Sequence, residues 1–333
     1  QDFPLTVYYA FKQSEEEESD IESKSKSNKE SSRSSTGWET MLEGLIKAGF
    51  SINGTWPMRT ELANRSVGLG TNALASSIVL VCRARPETAA VATRREFLYA
   101  LKKELPNALR ALQHGNIAPV DLAQAAIGPG MSIFSRYSKV VESDGSPMSV
   151  KVALQLINQT LDEVLSEQES EYDADTRWAL AWYEQFGINE GSYGDAETLS
   201  KAKNTSVDGM VEAGIVVSRS GKVRLLKREE LPEDWSPSTD NRLTVWEVTQ
   251  HLIQILSQKG EQGAAQLLTK IEKQSSSLGE IARDLAYRLY TTSEKKKWSE
   301  EARSYNSLVV SWPEIKRLTS QFEGSAPEQK NLF

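Results

Sequence analysis

The feature that most constrains this chain is a short apolar run, Ile78-Val-Leu-Val-Cys82, opened by Ser76-Ser77 and closed by Arg83, Arg85 and Pro86. It is continuous and rich in β-branched residues, whereas a half-exposed strand would alternate. It therefore reads as a strand buried on both faces inside a sheet. Such a strand needs neighbours and covering helices, and exposed on its own it is an aggregation hazard. Two more strands are expected at Leu5–Phe11 (LTVYYAF) and Phe50–Pro57 (FSINGTWP). Between them, Trp38, Met41, Leu42 and Leu45 have helical spacing, and Gly49 is a good stop. Residues 13–37 contain Ile21 as their only aliphatic residue and read as a flexible, solvated insertion. The order strand, helix, strand, loop, strand has one helix and no glycine-rich phosphate loop. It describes the end of a doubly wound α/β sheet rather than the whole of one.

The remaining sequence is mainly helical, which makes the expected class α/β plus α. Residues 96–113 carry Phe97, Leu98, Leu101, Leu105, Leu109 and Leu112 as an amphipathic stripe interrupted by Pro106, and Gly128-Pro129-Gly130 breaks a second helix over 122–137. Ser149 caps a third helix, and Trp178, Trp182 and Tyr183 form an aromatic stripe that reads as core. Ile215–Val217 and Val223–Leu226 flank a Ser-Gly turn, so helices followed by a short hairpin outline a winged helix. Helices are then expected at 244–259, 263–273, 278–291, 298–308 and 312–321. The implied division is 1–93, 94–235 with a hairpin at 215–226, and 236–333.

With 333 residues, 39% hydrophobic and 26% charged, the chain has the length for two or three domains. Its single cysteine, Cys82, lies in the apolar run. It excludes an internal disulfide framework and a cysteine-based zinc site, reads as a small buried hydrophobe and fits a reducing compartment. His114 and His251 stand far apart, and nothing has metal-ligand or catalytic-triad spacing. No apolar stretch approaches the ~20 residues that span a bilayer and no signal peptide is visible, so no membrane partner and a cytoplasmic location are expected.

The net charge of −7 is unevenly spread. From Ile215 to Arg228 there are five cations, Arg219, Lys222, Arg224, Lys227 and Arg228, and no acid. Such an excess in an acidic protein suggests a nucleic-acid backbone contact, with Arg219, Lys222 and Arg224 as the DNA-binding candidates. The alternative is a small solvated hairpin packed on helices, with Glu229, Glu230, Glu233 and Asp234 offsetting the charge.

The segments TVYYAFKQ, GWETMLEGLIKAGFSINGTWPMRTE and TNALASSIVLVCR resemble the closing part of the catalytic domain of large adenine-specific DNA methyltransferases. This is the group with an N-terminal domain of unknown function that is often encoded in anti-phage gene clusters. APVDLAQAAIGPGMSIFSRYSKVVESDGSPMSVKVAL and LAYRLYTTSEKKKWSEEARSYNSLVVSWPEI resemble the same family's C-terminal region, so the resemblance covers nearly the whole chain. It implies the last strands of a Rossmann-like, S-adenosylmethionine-dependent sheet, in which a fifth strand is followed by a helix and a terminal strand pair, the last running antiparallel. It also implies a glycine-rich cofactor loop and an Asp-Pro-Pro-Tyr motif, and neither is present in these residues. Gly128-Pro129-Gly130 and Gly68-Leu69-Gly70 lack the necessary strand–turn–helix context.

No catalytic residue is therefore expected here. The cofactor site is expected mostly upstream of Gln1, in a longer polypeptide or the product of a split gene. The implied partners are DNA and the remainder of the methyltransferase, or a separate subunit carrying it. The implied reaction transfers a methyl group to the exocyclic amine of a flipped adenine. The loop Trp56–Asn72 would wall the base pocket: Trp56 stacking, Arg59 and Arg65 on phosphate, and Glu61 or Asn64 on a base edge. The alternative reading makes Trp56 a packing residue at a strand end and Arg59–Glu61 a local ion pair. Tyr8 and Tyr9 stand at a strand end, where open α/β sheets place ligands, with one of them expected in the core. The rival function is a non-catalytic DNA-binding or scaffold subunit of a defence complex.

Overall fold

The apolar run forms the middle of a three-stranded sheet. In the computed structural model, which describes residues 3–10, 36–58 and 77–324, strand β3 (Ser77–Ala84) lies between β1 (Leu5–Ala10) and β2 (Phe50–Met58). It is antiparallel to both, so β1 and β2 run in the same direction, with helix α1 (Thr36–Lys47) between them in sequence. One face of the sheet, with Ile52, Ile78, Leu80 and Cys82, is buried against Trp38 and Leu42 of α1. Cys82 is the small buried hydrophobe expected, and burial raises its thiol pKa. The other face differs. Tyr8 and Trp56 sit directly opposite Val79 from either side, 73% and 55% exposed, and Met58 lies on the same face of β2, also exposed.

Helix α2 (Arg94–His114) begins at a capping box in which Thr93 and Glu96 satisfy each other's backbone N–H groups, and it runs through Pro106 without interruption. Helix α3 (Pro119–Ser135) also continues, through the Gly128-Pro129-Gly130 segment expected to break it. Pro129 cannot donate to the Ala125 carbonyl four residues back. The Thr55 hydroxyl of β2 donates there instead at 3.1 Å, and to the Gln124 carbonyl at 3.3 Å. Gly128 leaves room for this approach, since a Cβ there would collide with the Thr55 backbone; a Cβ at Gly130 would meet Ile157. At a bulge in β2 between Ile52 and Gly54, the Ile52 N–H donates to the Ser135 hydroxyl at 2.7 Å.

Two three-residue strands, β4 (Val91–Thr93) and β5 (Lys139–Val141), form a parallel pair and carry too few residues for a periodic signal. Phe97 and Leu101 of α2 share one core with the sheet, with Met131 and Phe134 of α3, and with Ile157 of α4 (Val150–Glu167). The division expected after residue 93 therefore falls inside a core. The chain instead separates into residues 1–117 with 121–164, and 118–120 with 165–333.

The second unit joins a small α/β module to three long helices. Helix α5 (Ala174–Phe186) is followed by β6 (Gly191–Ser192), α6 (Tyr193–Lys203), α7 (Val207–Glu212), β7 (Val216–Arg219) and β8 (Lys222–Leu225), with sheet order β6-β8-β7. Helices α8 (Val245–Gln274), α9 (Leu278–Lys295) and α10 (Ser299–Gly324) complete it. The break expected between 259 and 263 is a kink at Gly260, whose φ of 66° favours glycine. Two helices expected around residue 310 are one, α10, which contains Pro313. Asp173 fastens two helix starts, accepting the Thr176 N–H of α5 at 2.7 Å and the Val245 N–H of α8 at 3.0 Å. The aromatic stripe is core as expected. Trp178 and Trp182 stack at 5.1 Å, and Tyr183 meets Trp298 and Tyr305 edge-on.

Candidate nucleic-acid interface

The hairpin β7–β8 turns through Ser220 (φ 50°) and Gly221 (φ 75°), the two positive-φ positions of a tight two-residue loop. Val216, Val223 and Leu225 face inward, while Arg219 and Lys222 are exposed at the tip and Arg224 is half-buried. β8 also pairs with β6, so the strand before α6 and the two after α7 form one sheet. Asn204 closes α6 in the left-handed region, and Ser206 caps α7 three residues before Gly209, whose N–H it receives at 3.0 Å. Two helices are thus joined by three residues, a helix–turn–helix spacing.

The electrostatics of this hairpin differ from a simple count of its cations. Lys222 pairs with Glu190 at 3.1 Å. Arg224 makes a bidentate pair with Glu230, both bonds 2.6 Å, and this pair, with the Lys227 N–H, holds the Glu230 carboxyl down to about 2. Arg228 leaves the surface: its guanidinium lies over the Tyr305 ring at 5.0 Å and bonds Glu301 and Gln250. Of the three DNA-binding candidates only Arg219 has no carboxylate partner among the described residues. The exposed positions of α7 include Asp208, Val211 and Glu212, an acidic surface. Glu230 is near enough in sequence to be weighed against Arg224. Glu190 reaches Lys222 only because β6 joins the sheet, and nothing local in sequence signals that.

Of the base-pocket candidates, Trp56 is on the exposed face of β2, while Arg59, Glu61, Asn64 and Arg65 lie outside the described residues. Tyr8 is exposed, and Tyr9 is the half-buried one, packed on Trp38 at 5.2 Å. Among the described residues no strand turns through a glycine-rich loop into a helix; Gly128 and Gly130 are packing positions inside α3, and Gly68-Leu69-Gly70 lies outside them. The described residues alone offer no glycine-rich cradle for S-adenosylmethionine. No His/Cys/Asp/Glu group suited to a metal occurs among the described residues, and no described helix is long and apolar enough to cross a membrane.

Sequence reasoning missed a half-buried polar cluster around the start of α8. Asp240 accepts the Trp235 indole N–H at 2.8 Å and the Arg242 N–H at 2.7 Å. Burial, followed by the hydrogen bond to Asp240, pushes the Glu247 carboxyl up to about 9, so it is protonated at neutral pH. His251 stacks on Trp235 at 4.0 Å, and burial lowers it to about 4. Nearby, Arg242 bonds Asp175 at 2.7 and 3.0 Å and ties the segment before α8 to α5.

Residues 173–332 match the model of a domain of unknown function, DUF8807. No curated protein and no solved structure matches the chain significantly. The matched segment begins at Asp173, the shared cap, and takes in the hairpin module and the three long helices.

Proposed function

We propose that this chain is the C-terminal portion of an S-adenosylmethionine-dependent DNA adenine-N6 methyltransferase, completing the catalytic sheet and engaging DNA. The observation that carries the reading is the sheet itself. Two parallel strands with a helix between them in sequence hold an antiparallel third strand between them, and the last strand implied by the resemblance is antiparallel. Its second face supports the same reading. Tyr8, Val79, Trp56 and Met58 form an apolar surface that no described helix covers, and a doubly wound sheet carries helices on both faces. β1 also has one unpaired edge among the described residues, where a further strand would add. The methyl-transfer chemistry then belongs to residues joined at that edge, with Trp56, on the exposed face of β2, available to stack on the flipped base. The α5–β6–α6–α7–β7–β8 order matches a winged helix and would contact DNA.

The test is transfer of labelled methyl groups from S-adenosylmethionine to adenine, measured with the chain alone and with the polypeptide carrying the glycine-rich loop and the Asp-Pro-Pro-Tyr motif. Activity only in combination, lowered by W56A, supports the proposal; no activity in combination refutes it. A non-catalytic scaffold subunit is favoured by one observation. Lys222 and Arg224 are already ion-paired and α7 is acidic, a surface better suited to a protein than to a phosphate backbone. Absence of duplex binding by the combined protein would select that reading.

A further inference from the structure

A second exposed cationic surface among the described residues is on α2. Its inner side, with Phe97, Leu101, Leu105 and Leu109, is buried. On the outer side Arg95, Tyr99 and Lys103 follow one another at intervals of four, a single ridge about 12 Å long. All three are exposed, Tyr99 by 70%. Neither Arg95 nor Lys103 has a carboxylate partner among the described residues. The acids around the ridge are committed elsewhere: Glu96 to the Thr93 cap, Glu104 to Arg136 at 2.8 Å, Glu142 to Arg94 at 3.1 Å and Glu163 to Lys102 at 2.9 Å. Two cations without a carboxylate partner among the described residues, with an exposed ring between them, thus stand in line on one helix within an acidic protein.

We propose that this ridge binds single-stranded nucleic acid, Arg95 and Lys103 meeting phosphates and Tyr99 stacking on an unpaired base. Charge complementarity calls for a polyanion, and an exposed aromatic ring between the cations suits the flat face of a base. A lipid surface is the poorer fit, because a helix that lies on a membrane must spend its apolar face there, and the apolar face of α2 is already buried. The proposal is independent of the methyltransferase reading, since no methyl transfer enters its test.

The experiment is fluorescence anisotropy of a labelled 20-nucleotide single strand titrated with the full chain at several salt concentrations. R95A/K103A should weaken binding and flatten the slope of log affinity against log salt by about 1.4 units, ~0.7 per lost phosphate contact. Y99A should weaken binding ~10-fold, as for one lost base stack, with the slope unchanged, while Y99F stays near wild type. Circular dichroism melts of each variant check that these exposed substitutions leave the fold intact. Three outcomes would overturn the proposal. R95A/K103A could keep the wild-type affinity and slope, Y99A could bind like wild type, or the chain could bind phosphatidylserine vesicles but no oligonucleotide.

Discussion

Replacing Glu247 by Gln should make the protein more stable at alkaline pH and remove a pH dependence. In the folded chain this carboxyl is held up to about 9, while unfolded it titrates near 4.5. Below the unfolded value both states are protonated and nothing is lost. Between the two values the unfolded chain is ionised and the folded one is not, so folding must take up a proton. Each pH unit in that window then removes about 1.4 kcal/mol of stability. His251 acts in the opposite direction but only below its unfolded value of 6.5, because it is held at about 4 when folded. The window from pH 6.5 to 8 therefore isolates Glu247, and the wild type should lose about 2 kcal/mol across it. Glu247→Gln keeps the shape and a donor for Asp240 but cannot ionise, so its stability should be flat there. Urea unfolding followed by tryptophan fluorescence suits the question, since six of the eight tryptophans lie at or beyond Trp178, in the same unit as Glu247. A wild-type stability that is level or rises from pH 6.5 to 8, or an E247Q variant with the wild-type slope, would refute the reasoning.

In the E247Q background, stability should fall by about 2 kcal/mol from pH 6.5 to 5 through His251, and E247Q/H251F should lack that part of the fall in the same urea measurement. Gly128→Ala pushes a methyl group into the Thr55 backbone and should cost about 3 kcal/mol, read from the shift of the chemical unfolding midpoint. Thr55→Val removes the donor to two α3 carbonyls and should cost about 1.5 kcal/mol by the same assay. R219A/K222A/R224A should flatten the salt slope of duplex binding by about one unit rather than three, because two of the three cations are already paired; a change near three would mean that those pairs open on DNA.

The helix between the two flanking strands, the aromatic core stripe and the hairpin were legible because each rests on a local signal: period, capping residue or turn residue. The break near residue 260 was legible for the same reason, since only a few residues carry it. The continuity of α3 was not. A Gly-Pro-Gly segment breaks a helix by every local rule, and it holds here because a threonine on another strand supplies the missing donor. The free charge on the hairpin was equally hidden. Composition counts Arg219, Lys222 and Arg224 alike, but the pairing of β6 with β8 brings Glu190 to one and the chain after β8 brings Glu230 to another.

By itself the sequence determined that Ile78–Cys82 would be a central strand, because five consecutive apolar residues have no solvent-compatible side. Only the tertiary structure decided that, among the described residues, helices cover one face of the sheet and leave Tyr8 and Trp56 exposed on the other, side by side across Val79. It also decided which carboxyl burial pushes toward its protonated form and which cations are already ion-paired. Burial and ion pairing depend on which distant residues meet, and that is set by chain topology rather than by neighbours in sequence.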